Sequence, residues 1–140
     1  MLYAESSAVL AWLRGEDAAE RIARALGSAS HVLTSELTLL EVERVLVRAQ
    51  ATGVLSARDV RHASDRLRSA ATYWMIVGLH GAVLERAGRP FPAEPVRTLD
   101  ALHLATVLET RRAGPTVTVL SLDRRIRENA MALGLEVRPG

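Results

Sequence analysis

Short β-rich runs alternate with helical segments along all 140 residues of this chain, and that alternation narrows the fold more than any other feature. Leu2 to Ala4 is a short apolar run ending at Glu5-Ser6-Ser7, where a serine is expected to cap a helix starting near Ala8. A second small helix is expected over Asp17 to Leu26, closed by Gly27. His31 to Thr34 reads as a strand, and Thr38 to Ala51 as a long amphipathic helix that stops at Gly53. Ser56 to Ser69 is a very polar helix suited to the outside. Tyr73 to Val77 is a β-rich run leading into a helix that reaches Ala87. Thr98 to Arg112 is a helix, and Thr116 to Leu120 a strand of alternating β-branched residues. Asp123 to Leu133 is a helix closed by Gly134, and Leu135 to Val137 a last short strand. Strands separated by helices imply an α/β fold with a mostly parallel sheet covered on both faces, a three-layer α/β/α arrangement. In such sheets the binding crevice lies outside the carboxyl ends of the strands. The only linker-like stretch, Gly88 to Pro95, is too short to divide the chain, so residues 1–140 are expected to form one domain.

Composition removes whole classes of chemistry. There is no cysteine, hence no disulfide, thiolate metal site or Cys nucleophile. All 18 basic residues are Arg, so every mechanism that needs an amine is excluded, including Schiff bases and the phosphate-binding lysine of Walker motifs. Residues 1–70 carry nine Arg and nine acids, and residues 71–140 nine Arg and seven acids. This is a balanced protein with local Arg clusters, not a polycation. With one Phe, two Trp and two Tyr, a base-stacking platform is not expected. The uncharged stretch from Ala70 to Leu84 contains Thr72, Tyr73, Gly78 and His80 and is too short and polar to cross a bilayer. Glu5 interrupts any secretory signal. The expected location is cytoplasmic, with no membrane partner.

Four carboxylates stand where the crevice rule says to look. Glu5 closes the first strand, and Asp123 follows the strand that ends at Leu120. Asp123 is also a good helix N-cap, so two roles are open to it. Glu5 is a poor cap, and Ser6 or Ser7 is available for that job. Asp100 lies on the side of its helix that carries Leu104, Val107 and Leu108, at about 40°, about −20° and about 80° from it. A charge there is costly unless compensated, either by the helix dipole, with Thr98 as cap, or by a ligand. Glu41 sits at the rim of the stripe built by Val42, Val45, Leu46 and Ala49; it has two readings, an exposed ion pair with Arg44 or a side chain reaching into a crevice. Glu43 points nearly opposite and reads as solvated charge. Together, several carboxylates at one crevice would hold protons instead of charge. A hard divalent cation resolves this, and Mg²⁺ or Mn²⁺ suits carboxylate and water ligands. Such a site serves phosphoryl chemistry by activating water and neutralising the attacked phosphate.

Tyr3-Ala-Glu-Ser-Ser-Ala-Val-Leu10, Ser35-Glu-Leu-Thr-Leu-Leu-Glu41 with Arg44, Arg97-Thr-Leu-Asp-Ala-Leu-His-Leu-Ala105, and Ser121-Leu-Asp123 with Ala130 and Gly134-Leu-Glu-Val137 follow one another along the chain. In order and spacing they resemble the PIN-domain nucleases over nearly the whole length. At this length the chain looks like a VapC-type toxin of a type II toxin–antitoxin pair. The resemblance implies a Mg²⁺- or Mn²⁺-dependent endoribonuclease acting on structured RNA of the tRNA or rRNA class, leaving 5′-phosphate and 3′-hydroxyl ends. It implies homodimerisation and inhibition by a VapB-type antitoxin. Carried over by motif, the catalytic and metal-binding acids are Glu5, Glu41, Asp100 and Asp123, with Ser7 as the supporting hydroxyl. One departure stands out: the family's first acid is usually Asp, and here it is Glu5. One extra methylene moves the carboxylate while Mg²⁺ tolerates little error in distance, so Glu5 is open to direct ligation, to action through water, or to a weakened site. With the other three acids in place, activity is expected to be retained. The alternative is an attenuated PIN-like module that binds RNA or a protein without cleaving.

His103 reads as a hydrogen-bonded core histidine in preference to a base. Arg97, Arg124, Arg125 and Arg44 are candidate phosphate contacts, with solvated charge (Arg124, Arg125 and Arg127 beside Glu128) as the plainer reading. Arg14 and Arg48 stand behind them. Trp12 and Trp74 are read as packing residues or partner contacts. Phosphoaspartate receivers and haloacid-dehalogenase-type phosphatases share this layout, but both need a lysine.

Overall fold

The computed structural model describes residues 1–140. Five strands form one sheet in the order β3-β2-β1-β4-β5, and every neighbouring pair is parallel. They are β1 (Leu2–Ala4), β2 (Val32–Ser35), β3 (Met75–Val77), β4 (Thr118–Leu120) and β5 (Glu136–Arg138). The sequence reading of a mostly parallel sheet holds in stronger form. Seven helices connect the strands: α1 (Ser6–Arg14), α2 (Ala19–Ser28), α3 (Glu36–Ala51), α4 (Ala57–Ala71), α5 (Gly81–Ala87), α6 (Thr98–Arg112) and α7 (Arg124–Ala132).

The alternation of side chains along the strands assigns the two faces. Tyr3, Leu33 and Val119 point into one core with Phe91, Leu104, Val107, Ile126 and Ala130, beneath α6 and α7. Leu2 and Leu120 point the other way, into a core with Ala8, Ala11 and Ile22 from α1 and α2. Ala4 and Val32 meet Val9, Val42, Leu46 and Leu67 from α1, α3 and α4 on that same side. Each fully buried Leu, Ile or Val contributes about 1.5–3 kcal/mol. The result is three layers.

Local signals explain the boundaries, and several differ from those read in the sequence. Helix α1 begins at Ser6, not near Ala8, and its N-cap is Glu5, whose carboxylate accepts from the Ser7 amide. The serine expected to cap does not, because it is drawn into the helix. Gly15 ends α1 in the left-handed region (φ 67°), with its N–H bonded to Ala11 O. Ser35 caps α3, which therefore starts two residues before the predicted Thr38. Ser56 and Asp59 cap α4 reciprocally, and this polar helix buries only Ala63 and Leu67. Helix α6 has the predicted bounds, but its N-cap is Arg97, with no side-chain cap bond; Thr98 lies inside it and does not cap. Strand β3 is shorter than read, and β5 falls one residue later.

The chain runs outward through β1, β2 and β3, then crosses back to lay β4 on the other side of β1. The winding direction thus reverses between β1 and β4. At such a switch point the connections leave in opposite directions and open a crevice at the carboxyl edge. Glu5 follows β1 and Ser121 follows β4 at that point.

Candidate active site

Glu5 is buried, 3% exposed, in a nest of donors. Its Oε1 accepts from Ser6 Oγ at 2.6 Å and the Ser7 amide at 3.0 Å. Its Oε2 accepts from Ser121 Oγ at 2.7 Å and from the Ser7 hydroxyl. A carboxylate offers about four lone-pair positions, and all of these are filled. The Ser7 hydroxyl in turn accepts the amides of Leu122 (2.9 Å) and Asp123 (3.1 Å), locking the start of α1 to the loop after β4. Ser6 and Ser121 both stood in the motifs, but the motif reading gave a role at the site to Ser7 alone.

Asp123 is the N-cap of α7: its Oδ1 accepts the amides of Arg125 (2.8 Å) and Ile126 (3.0 Å). Its second oxygen has no protein partner. Capping and a ligand role are therefore compatible, one oxygen for each.

Asp100 stands in the first turn of α6, half-buried at the crevice. Burial, then the charge of Asp123 and that of Glu5, push its carboxyl above the ordinary aspartate range; Arg97 and His103 pull the other way without cancelling them. The ionised form of this acid is therefore the disfavoured one.

Glu41 reaches from the rim of α3 to His103 on α6, where His103 Nε2 lies 2.6 Å from its Oε2. Glu5 Oε1 lies 3.9 Å from the same nitrogen. His103 is 1% exposed, and its Nδ1 meets the Tyr3 hydroxyl at 2.7 Å. Glu41 is thus tied to a histidine instead of to Arg44. Tyr3 opens the first motif, but as an aromatic inside an apolar strand it was given no role at the site.

The four acids come from separate elements into one neighbourhood: Glu5 and Glu41 flank His103, while Glu5 and Asp123 act on Asp100. They are not drawn into a finished cage, for no three His, Asp or Glu groups are arranged to hold an ion. The donor chemistry nevertheless suits a hard divalent cation at Asp100 and Asp123, where oxygens are free. It does not suit one directly on Glu5, whose oxygens are taken.

Of the arginines, Arg97 is exposed and acts electrostatically on Asp100. Arg124 is exposed and lies 3.6 Å from Glu128, as the plainer reading had it. Arg125 is half-buried, and Arg44 is exposed on α3. Arg127 serves the fold, donating to the carbonyls of Ser121, Arg138 and Pro139. Trp12 and Trp74 pack together, ring centroids 6.3 Å apart, and Arg66 covers Trp12 at 4.4 Å.

An all-parallel α/β sheet with acids from four elements at its switch point defines an acidic-site layered domain. The chain belongs to the PIN domain family, whose pattern matches residues 2–131. Ribonuclease VapC35 of Mycobacterium tuberculosis is 28% identical over 139 residues, 98% of this chain and 95% of that protein. Ribonuclease VapC45 of the same organism is 28% identical over 142 residues, 99% of this chain and 95% of that protein. Among solved structures, FitAcB from Neisseria gonorrhoeae superposes with a TM-score of 0.75 at 17% identity, covering 99% of this chain and 97% of that one. The Mycobacterium tuberculosis VapC20 structure, described as a sarcin–ricin loop cleaving toxin, gives a TM-score of 0.70 at 20% identity, covering 99% and 100%. A toxin–antitoxin complex from Klebsiella pneumoniae gives 0.67 at 16% identity, covering 99% and 97%.

Proposed function

We propose that the chain is a Mg²⁺- or Mn²⁺-dependent endoribonuclease, the toxin of a VapBC-type pair, which hydrolyses RNA phosphodiester bonds. The observation that carries this reading is the meeting of Glu5, Glu41, Asp100 and Asp123 from separate elements around one crevice, in a protein whose relatives are named ribonucleases. Asp100 and Asp123 would hold the ion through their free oxygens. Bound there, a divalent cation supplies Lewis-acid stabilisation of the attacked phosphate and a more acidic water.

The chain's own residues do the rest. Glu41, fixed through Oε2, presents Oε1 to take a proton from the attacking water. Glu5 supplies negative charge from behind the cup and shapes it through the serines. Arg97, Arg124, Arg125 and Arg44 are phosphate contacts for the RNA. Water adds to phosphorus, its proton passing to Glu41, as the bond from phosphorus to the 3′ oxygen breaks; that oxygen takes a proton from solvent, giving 5′-phosphate and 3′-hydroxyl ends.

Relatives named ribonucleases support an RNA substrate, and similarity to a toxin–antitoxin complex supports an antitoxin partner; we take the RNA to be structured, of the tRNA or rRNA class, and the antitoxin to be VapB-type. Exposed apolar side chains, among them Leu40, Val47, Tyr73 and Met75, give surface for the antitoxin and for a homodimer. We take the site of action to be the cytoplasm, where an RNA substrate would be met; no helix is long and apolar enough to cross a membrane. Residues 1–140 would act as one domain. The test is cleavage of total tRNA and rRNA, abolished by EDTA, restored by Mn²⁺ and absent in Asp100→Asn. Binding without cleavage under all these conditions would leave an attenuated PIN-like module instead.

A further inference from the structure

Tyr3, in the middle of β1, has no exposed surface, and His103 of α6 has almost none. Their rings meet edge to face, centroids 6.0 Å apart at 66°. From the Tyr3 hydroxyl a hydrogen-bond chain runs through His103 Nδ1 and Nε2 to Glu41 Oε2, in steps of 2.7 and 2.6 Å. The chain crosses from the central strand through one helical layer to a helix of the other.

The direction of the protons follows from what each group can do. An ionised carboxylate only accepts, so Nε2 carries a proton toward Glu41. A neutral ring then has a bare Nδ1, which accepts from the phenol. The phenol, fully buried, has its hydroxyl 2.7 Å from Nδ1 and donates to it. The hydroxyls of Thr38 and Thr106 lie beside the phenol oxygen. Thr38 Oγ1, outside hydrogen-bond geometry, is the one buried side-chain polar atom with no partner.

A leucine would fill this place without the cost of burying an imidazole. What the imidazole adds is directional, and it ends on a single group. Glu41 hangs on a flexible stem at the rim of α3, with only His103 to fix it; its Oε1 has no protein partner. Holding one oxygen of a carboxylate leaves the other at a defined place in the crevice.

We propose that Tyr3 and His103 are positioning residues for Glu41, setting the imidazole tautomer and, through it, the orientation of the carboxylate that faces substrate. This rests on the reading of the acidic site as a ribonuclease centre.

The experiment compares Tyr3→Phe, His103→Leu and His103→Gln with the unaltered protein and Asp100→Asn. Nitrogen-15 NMR of the unaltered protein should show a neutral His103 protonated at Nε2, and in Tyr3→Phe a ring that has lost its fixed tautomer. In cleavage assays His103→Leu should lose about 10- to 100-fold in kcat with KM little changed. Tyr3→Phe should lose less, and Gln, whose amide can donate to Glu41, should restore part of the loss. Full activity in both Tyr3→Phe and His103→Leu, alongside a dead Asp100→Asn, overturns the proposal while sparing the nuclease reading. A ring protonated at Nδ1 only overturns it whatever the activity. Absence of cleavage in the unaltered protein overturns the nuclease reading, and with it the catalytic purpose given to Glu41; the tautomer measurement still decides the hydrogen-bond chain by itself.

Discussion

The Asp123 amide donates to the Ser7 hydroxyl at 3.1 Å, across 116 residues of sequence. That bond, its neighbour from Leu122, and the Ser7 hydroxyl's own bond to Glu5 join the two loops that flank the switch point. Ser7→Ala removes the shared acceptor and one donor to a buried carboxylate. We expect a loss of about 1–3 kcal/mol in unfolding free energy, read by urea titration, because part-buried amides lose a partner. A change within error would mean that water replaces the hydroxyl at no cost.

Asp100 sets a pH dependence whose sign can be worked out. Its carboxyl is held above its unfolded value, chiefly by burial and then by Asp123. The stability linked to it is fully present below the unfolded pKa and is lost as pH rises through the higher folded one. In EDTA, Asp100→Asn should therefore melt higher than the unaltered protein at neutral pH, and the difference should vanish in acid. Mn²⁺ should stabilise the unaltered protein and leave Asp100→Asn unmoved. Parallel melting curves at every pH would remove the charge conflict on which the metal reading stands.

Glu5→Asp tests the hub. The shorter side chain withdraws from Ser121 and Ser6, so we expect a loss of about 1–3 kcal/mol in stability together with reduced cleavage. If Mn²⁺ affinity and activity rise instead, the natural glutamate has muted the site.

Arg97 acts on Asp100 and faces solvent. Arg97→Gln should weaken RNA binding uniformly across sequences and lower the salt slope by about one, as expected when one phosphate contact is lost. It should also push the Asp100 carboxyl higher still. An unchanged salt slope would place the RNA backbone elsewhere.

The sheet was legible because its strands are separated by long helical stretches, a spacing that parallel pairing needs and hairpins do not. Glu5 and Asp123 were legible as positions at strand ends, and Asp100 and Glu41 as acids beside the apolar stripes of their helices. Their bonding was not. Glu5 was dismissed as a cap on propensity, yet three serine hydroxyls and an amide around one buried carboxylate outweigh a weak intrinsic preference. His103 was read as a bonded core residue, but its partners are 100 and 62 residues away, beyond any periodicity argument. One reading of Asp100 made Thr98 the cap of α6; Thr98 is instead its first residue, and Arg97 stands at the N-cap with no side-chain bond.

The place of β1 between β2 and β4 has a consequence for how the molecule is made. Glu5 leaves the ribosome before its partner Ser121, which follows 116 residues later. Until then the central strand has a neighbour on one side only, and the acidic cup lacks a wall. A copy that stops short of β4 therefore carries the first carboxylate but no finished centre, and on the proposed nuclease reading such a product should be inert toward RNA.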